Sequence, residues 1–302
     1  MKISTIVVGL GKIGMLYDYK KKNHFNNHCQ AIESHKNFNL IAAVDRDKEK
    51  FNKFLKIYKV PVFSSLKVAF EKMRPNLIII STPTKKNDQL FSYIKKNNIS
   101  PKIFLVEKPA SYEYHNFKKF VDYCNTKKIR IVVNYQRSFS SSLSIMNTFL
   151  KKQKKIKIEV YYKKGFYNSC SHYINLFFEL TRINRYKIFE VKLCRKMDKD
   201  FTVNCKIKIK YLLNFIYKKN TDEKIVIENQ LKQKLIFFTE KSKIIFKKGG
   251  KSFIVKNNFN KNLKNVFDKI TNEYKKKSHF NVKSSLKTLE LITKVRKKIY
   301  IN

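Results

Sequence analysis

Four places in this sequence carry side chains, or bare backbone, suited to a phosphate-bearing organic molecule. The first is Gly9-Leu10-Gly11-Lys12-Ile13-Gly14, directly after an apolar run over residues 3–8. The chain has only six glycines, and three of them stand here. At this spacing the first permits a tight turn, the second lets a pyrophosphate approach bare backbone, and the third allows a helix to pack closely on a strand. The start of that helix turns unpaired N–H groups and a partial positive charge toward the phosphates. The chemistry is dinucleotide binding, with Lys12 and Ile13 inside the binding turn. The second place is Asp45-Arg46, which ends an apolar run over 38–44 and sets a carboxylate where adenosine ribose hydroxyls would lie. Gly14 and Asp45 are 31 residues apart, against roughly 20 in the usual pattern, and the polar stretch over 17–28 accounts for the excess as a lengthened loop. Asp45 favours NAD, while Arg46 could stack on adenine or pair with a 2′-phosphate. The cofactor is therefore NAD or NADP, with NAD favoured. Asp45 could instead cap the following helix, as could Asp47. The third and fourth places are Ser81-Thr82-Pro83 and Glu107-Lys108-Pro109, each at the end of a further apolar run. Ligands of open α/β sheets bind beyond the carboxyl ends of the strands. Thr82 and Pro83 can lie under the nicotinamide-ribose half of a cofactor, with Glu107 and Lys108 at the rim of the same crevice.

The elements that must position these groups are legible as a βαβ rhythm. Nearly all-apolar strands are expected over 3–8, 38–44, 77–81, 103–106 and 129–134, as for strands covered on both faces. Between them, apolar residues three and four apart predict helices over 48–58, 64–73, 88–97 and 111–127; Phe117, Phe120, Val121 and Cys124 show the spacing. Right-handed crossovers then give a Rossmann-type doubly wound parallel sheet over residues 1–135. Beyond Arg137 the period changes. After a helix over 141–150 come alternating runs over 156–160, 203–209, 224–228 and 235–239, and Lys247-Lys248-Gly249-Gly250 reads as a hairpin turn. A last helix is expected over 284–299. Residues 136–302 are thus an α+β domain with a large, mostly antiparallel open-faced sheet.

Taken together and in chain order, these pieces resemble the Gfo/Idh/MocA oxidoreductases, the family of glucose-fructose oxidoreductase and inositol dehydrogenase. Val133-Asn134-Tyr135-Gln136-Arg137 and Gly165-Phe-Tyr-Asn168-Ser-Cys-Ser-His172-Tyr-Ile-Asn175-Leu176 complete the set. The resemblance implies an NAD(P)-dependent enzyme acting on CH–OH groups. The surroundings of Tyr17-Asp18 and of residues 283–292 are most similar to members that use nucleotide sugars or surface-polysaccharide precursors. It further implies that Lys108 belongs to the family's Glu-Lys-Pro motif, touching cofactor and substrate, and that His172 is the catalytic histidine. Physics is compatible with both. A lysine beside a cationic nicotinamide should lose a proton more easily, and can hydrogen-bond the oxygen where charge develops. A histidine titrates near neutrality and can carry the hydroxyl proton. The alternatives are one more solvated lysine and a satisfied buried histidine. Tyr135, Arg137, Asn168 and Asn175 complete the expected substrate-binding set; Asn168, His172 and Asn175 should share one side of a helix over 168–180. Inositol-dehydrogenase-like members carry aspartate where this chain has Asn168 and Asn175. An amide cannot hold a charge, which leaves open a C=N reductase of the biliverdin-reductase kind, or a catalytically impaired member. The resemblance also implies a homo-oligomer formed through the antiparallel sheets.

Composition narrows the classes. With 43% hydrophobic and 29% charged residues the chain is globular. A net charge of +45 would ordinarily point to a polyanion. Yet only eight of the 67 basic residues are arginine, and the lysines come with abundant Asn, Ile, Phe and Tyr, residues that share A/T-rich codons. No helix-turn-helix, zinc-finger or RNA-binding aromatic motif is present, so no specific nucleic-acid partner is expected. A small-molecule sugar or nucleotide-sugar substrate would still gain from a basic surface. Five scattered cysteines, never C-x-x-C, indicate neither a disulfide framework nor a zinc site, and Cys170 reads as a packing residue. His24, His28 and His35 lack a carboxylate or thiolate set nearby in sequence, so no metal is expected. The glycines interrupt any signal-peptide core, and no run approaches the ~20 apolar residues of a membrane span. The expectation is a cytoplasmic protein without membrane insertion. Any DNA binding should show no sequence preference and vanish by roughly 200 mM salt in a filter-binding titration; salt-resistant, sequence-selective binding would contradict this reading of the charge.

Overall fold

The computed structural model describes residues 2–19, 25–140, 142–151, 155–183, 185–198, 200–241, 243–256, 262–276 and 282–301. The chain divides into two units, residues 1–134 with 262–282 and residues 135–261 with 283–302.

In the first unit, β1 (Ile3–Val8), β2 (Phe38–Val44), β3 (Val62–Phe63), β4 (Leu77–Ile80), β5 (Ile103–Val106) and β6 (Arg130–Val133) form one parallel sheet in the order β3-β2-β1-β4-β5-β6. Reversal of direction beside β1 is the mark of a doubly wound sheet. The central strands are wholly buried, as their unbroken apolar composition requires. The crossovers are α1 (His28–Glu33), α2 (Lys48–Ile57), α3 (Leu66–Met73), α4 (Thr84–Lys96) and α5 (Tyr114–Thr126). Their starts follow capping chemistry: Asn27, Asp47 and Ser65 each accept from amides of the first turn of α1, α2 and α3. Phe91 and Phe120 stack at 4.1 Å between α4 and α5. The two-residue β3 is too short to leave a period in the sequence.

Two features differ from the sequence expectation. The glycine turn does not open a long helix. It leads into a single π-helical turn, Lys12–Leu16, in which Leu16 N–H reaches back to Gly11 O, and α1 begins only at His28. The intervening segment is tied to α1 by side chains: Asn27 Nδ2 donates to Tyr17 O and Gln30 Nε2 to Asp18 O. His24 lies outside the described residues. Nor does the chain divide once, at 135/136. A helix not read from the sequence, α8 (Asn262–Lys276), belongs to the first unit. It buries Leu263, Val266, Phe267 and Ile270. The Phe267 ring meets Phe38 edge-on at 4.8 Å, and Asp268 Oδ1 lies 3.0 Å from His35 Nε2. Burial of this apolar stripe draws the segment back across the domain boundary.

The second unit is built on an eight-stranded sheet of β7 (Ile156–Tyr162), β8 (Lys187–Lys196), β9 (Phe201–Lys208), β10 (Leu212–Tyr217), β11 (Lys224–Asn229), β12 (Lys234–Phe238), β13 (Lys243–Lys248) and β14 (Lys251–Lys256). The order is β14-β13-β12-β11-β7-β10-β9-β8, antiparallel except where β7 meets β10. Alternation buries Ile225, Ile227, Leu235 and Phe237 on one face and leaves Lys224, Val226, Glu228, Lys234, Ile236 and Phe238 half-buried on the other. Gly249 and Gly250 take positive φ, +53° and +75°, in the two-residue turn between β13 and β14, as a tight hairpin requires. β8 went unread because its residues are mostly exposed and show no two-residue period. The unit's helices are α6 (Ser142–Lys151), α7 (Ser171–Thr181) and α9 (Val282–Ile301). Among the described residues, no helix is long and apolar enough to cross a membrane. Phe267→Ala should lower the unfolding free energy by about 3–5 kcal/mol, read by urea denaturation; a loss below about 1 kcal/mol would show that α8 is not part of the first unit's core.

Candidate active site

The glycine turn is shaped by contacts that exclude side chains at two positions and leave the third open. Gly9 has φ +92°, and a Cβ there would lie 3.0 Å from Ser81 C and Thr82 N. A Cβ on Gly14 would lie 2.0 Å from Gly9 O. Ser81 Oγ fastens this corner by donating to Val8 O and Gly9 O. Gly11 is different: its backbone is extended, with φ −74°, and a Cβ would meet none of the described residues within 4 Å. Asp45 at the end of β2 accepts Leu10 N–H on Oδ2 at 2.7 Å, and Arg46 and Asp47 N–H on Oδ1. Asp47, not Asp45, caps α2. Asp45 therefore tethers the glycine turn from the neighbouring strand, leaving Lys12 and Arg46 exposed and Ile13 half-buried beside it. Open space over bare backbone with a carboxylate at the next strand end fits a dinucleotide's phosphates and ribose.

The ends of β4 and β5 lie at the same edge of the sheet and are laced together. Thr82 Oγ1 donates to Asn87 Oδ1, Thr84 Oγ1 to Pro109 O, and Asn87 Nδ2 to Ala110 O. Pro83 stands exposed at the start of α4, and the Lys108–Pro109 bond is cis. Glu107 is more than a rim residue. Its Oε1 lies 2.7 Å from His28 Nε2 and accepts from Asn134 Nδ2 at 2.5 Å, with both partners buried. The next residue, Lys108, is half-buried at the strand end. His28 is a site-supporting residue that sequence reasoning missed, because its carboxylate partner is 79 residues away. Among the described residues no three metal-ligating side chains gather.

In the second unit, His172 stands in the first turn of α7, directly after a π turn over Phe166–Cys170. Gly165 precedes that turn because a Cβ there would collide with Asp200, 1.7 Å from Oδ2. The Asp200 carboxylate accepts Tyr167, Asn168 and Phe201 N–H. Burial raises its pKa above the ordinary carboxylate value, with those amides opposing the shift. The π turn, closed by Cys170 N–H on Gly165 O, takes in one more residue than an α turn and breaks the helical register expected over 168–180. Asn168 is exposed on the π turn, whereas Asn175 is fully buried, accepting from Ser138 Oγ at 2.7 Å and contacting Thr288 Oγ1 at 3.4 Å. The three residues do not share one side. The half-buried His172 ring meets the buried Tyr135 ring edge-on at 5.7 Å. Arg137 Nη2 lies 3.0 Å from Glu223 Oε2, and its guanidinium sits 4.4 Å over the Tyr173 ring. Burial alone would raise the pKa of Glu223, but Arg137 and hydrogen bonds from Ser169, Lys163 N–H and Tyr173 hold it below the usual value. Cys170 is buried, and desolvation drives its thiol well above the ordinary range, as befits a packing residue. Neither Asp200 nor Glu223 stands in a recognisable motif; both act from loops beside strands distant in sequence.

Over residues 3–135 the sequence matches the family model of the Gfo/Idh/MocA oxidoreductases, described as an oxidoreductase family with an NAD-binding Rossmann fold. The amino-terminal domain belongs to this family. Comparison with curated proteins finds none that matches the sequence. Solved structures share the fold across nearly the whole chain. A 3-ketoreductase from Actinomadura kijaniata, crystallised with TDP-benzene and NADP, is 11% identical with a TM-score of 0.76, covering 98% of each chain. Biliverdin reductase from Synechocystis, in complex with biliverdin and NADP+, is 12% identical at 0.72, again over 98% of each chain. An oxidoreductase from Agrobacterium radiobacter, in complex with NAD+, L-tartaric acid and magnesium, is 10% identical at 0.74, covering 97% of this chain and 95% of that one. Because the Gly11 backbone accepts any residue while the space above it is open, Gly11→Asp should fold normally yet lose NAD(P)H binding, monitored by cofactor fluorescence. Full cofactor retention would refute the cradle.

Proposed function

We propose that this Gfo/Idh/MocA protein moves a hydride between NAD or NADP and a hydroxyl- or ketone-bearing carbon of a sugar or nucleotide sugar. The observation that carries the reading is the shared strand-end edge of the first sheet. There Gly11 lies open, Asp45 holds the glycine turn, and Glu107, fixed by His28 and Asn134, precedes Lys108. When bound, the nicotinamide supplies or accepts the hydride. Lys108 donates a hydrogen bond to the substrate oxygen, where negative charge grows as the C–H bond breaks or the carbonyl is attacked. His172 takes the hydroxyl proton in oxidation and returns it in reduction, its ring set by the edge contact with Tyr135. Asn168 is the exposed polar group on the π turn and orients substrate. Asn175 acts at one remove, by holding Ser138 in the turn that carries Arg137. A nucleotide sugar's diphosphate would suit the Arg137 guanidinium. The expected homo-oligomer would cover Phe189 and Leu193, which are half-exposed on β8.

A second reading, reduction of a C=N bond, is favoured by the uncharged amide of the exposed Asn168. The test is absorbance of NAD(P)H during turnover with a panel of UDP- and TDP-linked sugars, free ketoses and biliverdin. Lys108→Ala and His172→Ala should fold and bind cofactor but lose at least about 10²-fold in kcat. Normal turnover in both would overturn the assigned roles, and turnover of biliverdin with none of any sugar would decide for the second reading.

A further inference from the structure

We propose that Glu223, in the loop before β11, is a positioning residue for His172. The proposal rests on the reading of His172 as the acid–base group, though its test is independent of that reading. The carboxylate is only 2% exposed and uses both oxygens. Ser169 Oγ donates to Oε1 at 2.5 Å and Tyr173 OH to Oε2 at 3.1 Å. These donors stand three residues before and one residue after His172, on either side of the junction between the π turn and α7. One carboxylate therefore bridges the two pieces of chain between which the imidazole is mounted. Lys163 N–H adds a third contact at 3.4 Å to Oε1, and Arg137 Nη2 a fourth at 3.0 Å to Oε2.

The bridge is itself anchored. Thr239, just past β12, donates to Glu223 O from both its N–H and its hydroxyl, each at 3.1 Å, and its hydroxyl lies 2.8 Å from Tyr173 OH. The first turn of α7 is thus fastened to the sheet through Glu223. Among the described residues Arg137 Nη1 is buried without a hydrogen-bond partner, and Glu223 and the Tyr173 ring hold the guanidinium. A buried ion pair is weak evidence of a stabilising role, since apolar residues of similar volume often replace one without loss. What a carboxylate supplies and an apolar group cannot is several directional acceptors at one point, which defines the rotation of the turn bearing His172.

The experiment is nitrogen-15 histidine NMR of the full chain, with the His172 ring signal identified by its absence in His172→Asn. Glu223→Ala should shift or split that signal, while Glu223→Gln, which keeps the shape and some hydrogen bonds, should fall between. The His115 signal should not move. On any substrate found by the sugar panel, Glu223→Gln should lower kcat on the order of 10- to 100-fold, as misplacement by about 1 Å does, with KM for NAD(P)H changed less than about twofold. A folded Glu223→Ala whose His172 signal matches wild type would overturn the proposal. If Glu223→Ala does not fold, Ser169→Ala and Glu223→Gln decide it by the same signal, and an unmoved ring in both overturns it. Normal turnover of His172→Asn would sink the acid–base role while leaving the NMR outcome to judge the bridge.

Discussion

Gly14 has no room for a side chain, because the carbonyl of Gly9 occupies the place a Cβ would take. The rest of the cofactor half of the molecule depends on that crowding. Ser81 Oγ, which reaches Val8 O and Gly9 O in the same corner, lies only 2.9 Å from where a Gly14 Cβ would stand, and Leu10 N–H beside it points at Asp45. Of the three glycines, Gly11 has none of the described residues within 4 Å of the place a Cβ would take.

A second regularity is the use of carboxylates. In a chain with 67 basic and 22 acidic residues, cations are abundant everywhere and acids are scarce. Four of those acids, Asp45, Glu107, Asp200 and Glu223, each hold together segments distant in sequence by accepting from backbone amides or buried side chains. Hydrogen bonds to an ionised acceptor are stronger than neutral ones, so a single carboxylate can replace several weaker contacts at a loop. Two of these acids flank the element carrying His172, one through its backbone and one through its side chains. Lys108 follows directly after a third.

The legibility of the fold tracked burial. Strands β1, β2, β4, β5 and β6 could be read almost to the residue because strands covered on both faces must be apolar throughout. β8 and β3 could not, the one exposed and the other too short to have a period. α8 was hidden for another reason: its stripe of Leu263, Val266, Phe267 and Ile270 is clear once found, but nothing local says that it returns to the first unit. The helical register at Asn168, His172 and Asn175 failed because a π turn intervenes, and no local composition distinguishes a π turn from an α-helical one.

Within the candidate site, residue types and spacing by themselves determined the glycine cradle, the acid at the end of β2, and the pairing of an acid and a lysine at the end of β5. Those features are local: a tight turn needs glycine, and a parallel strand ends where its apolar run ends. Tertiary structure alone decided that His28 and Asn134 hold Glu107, that Asp200 fills the space Gly165 leaves, and that Glu223 joins Arg137, Ser169 and Tyr173. Each of these partnerships spans many residues of chain. A hydrogen bond between distant segments depends on how the backbone returns, and one sequence carries no local mark of that return.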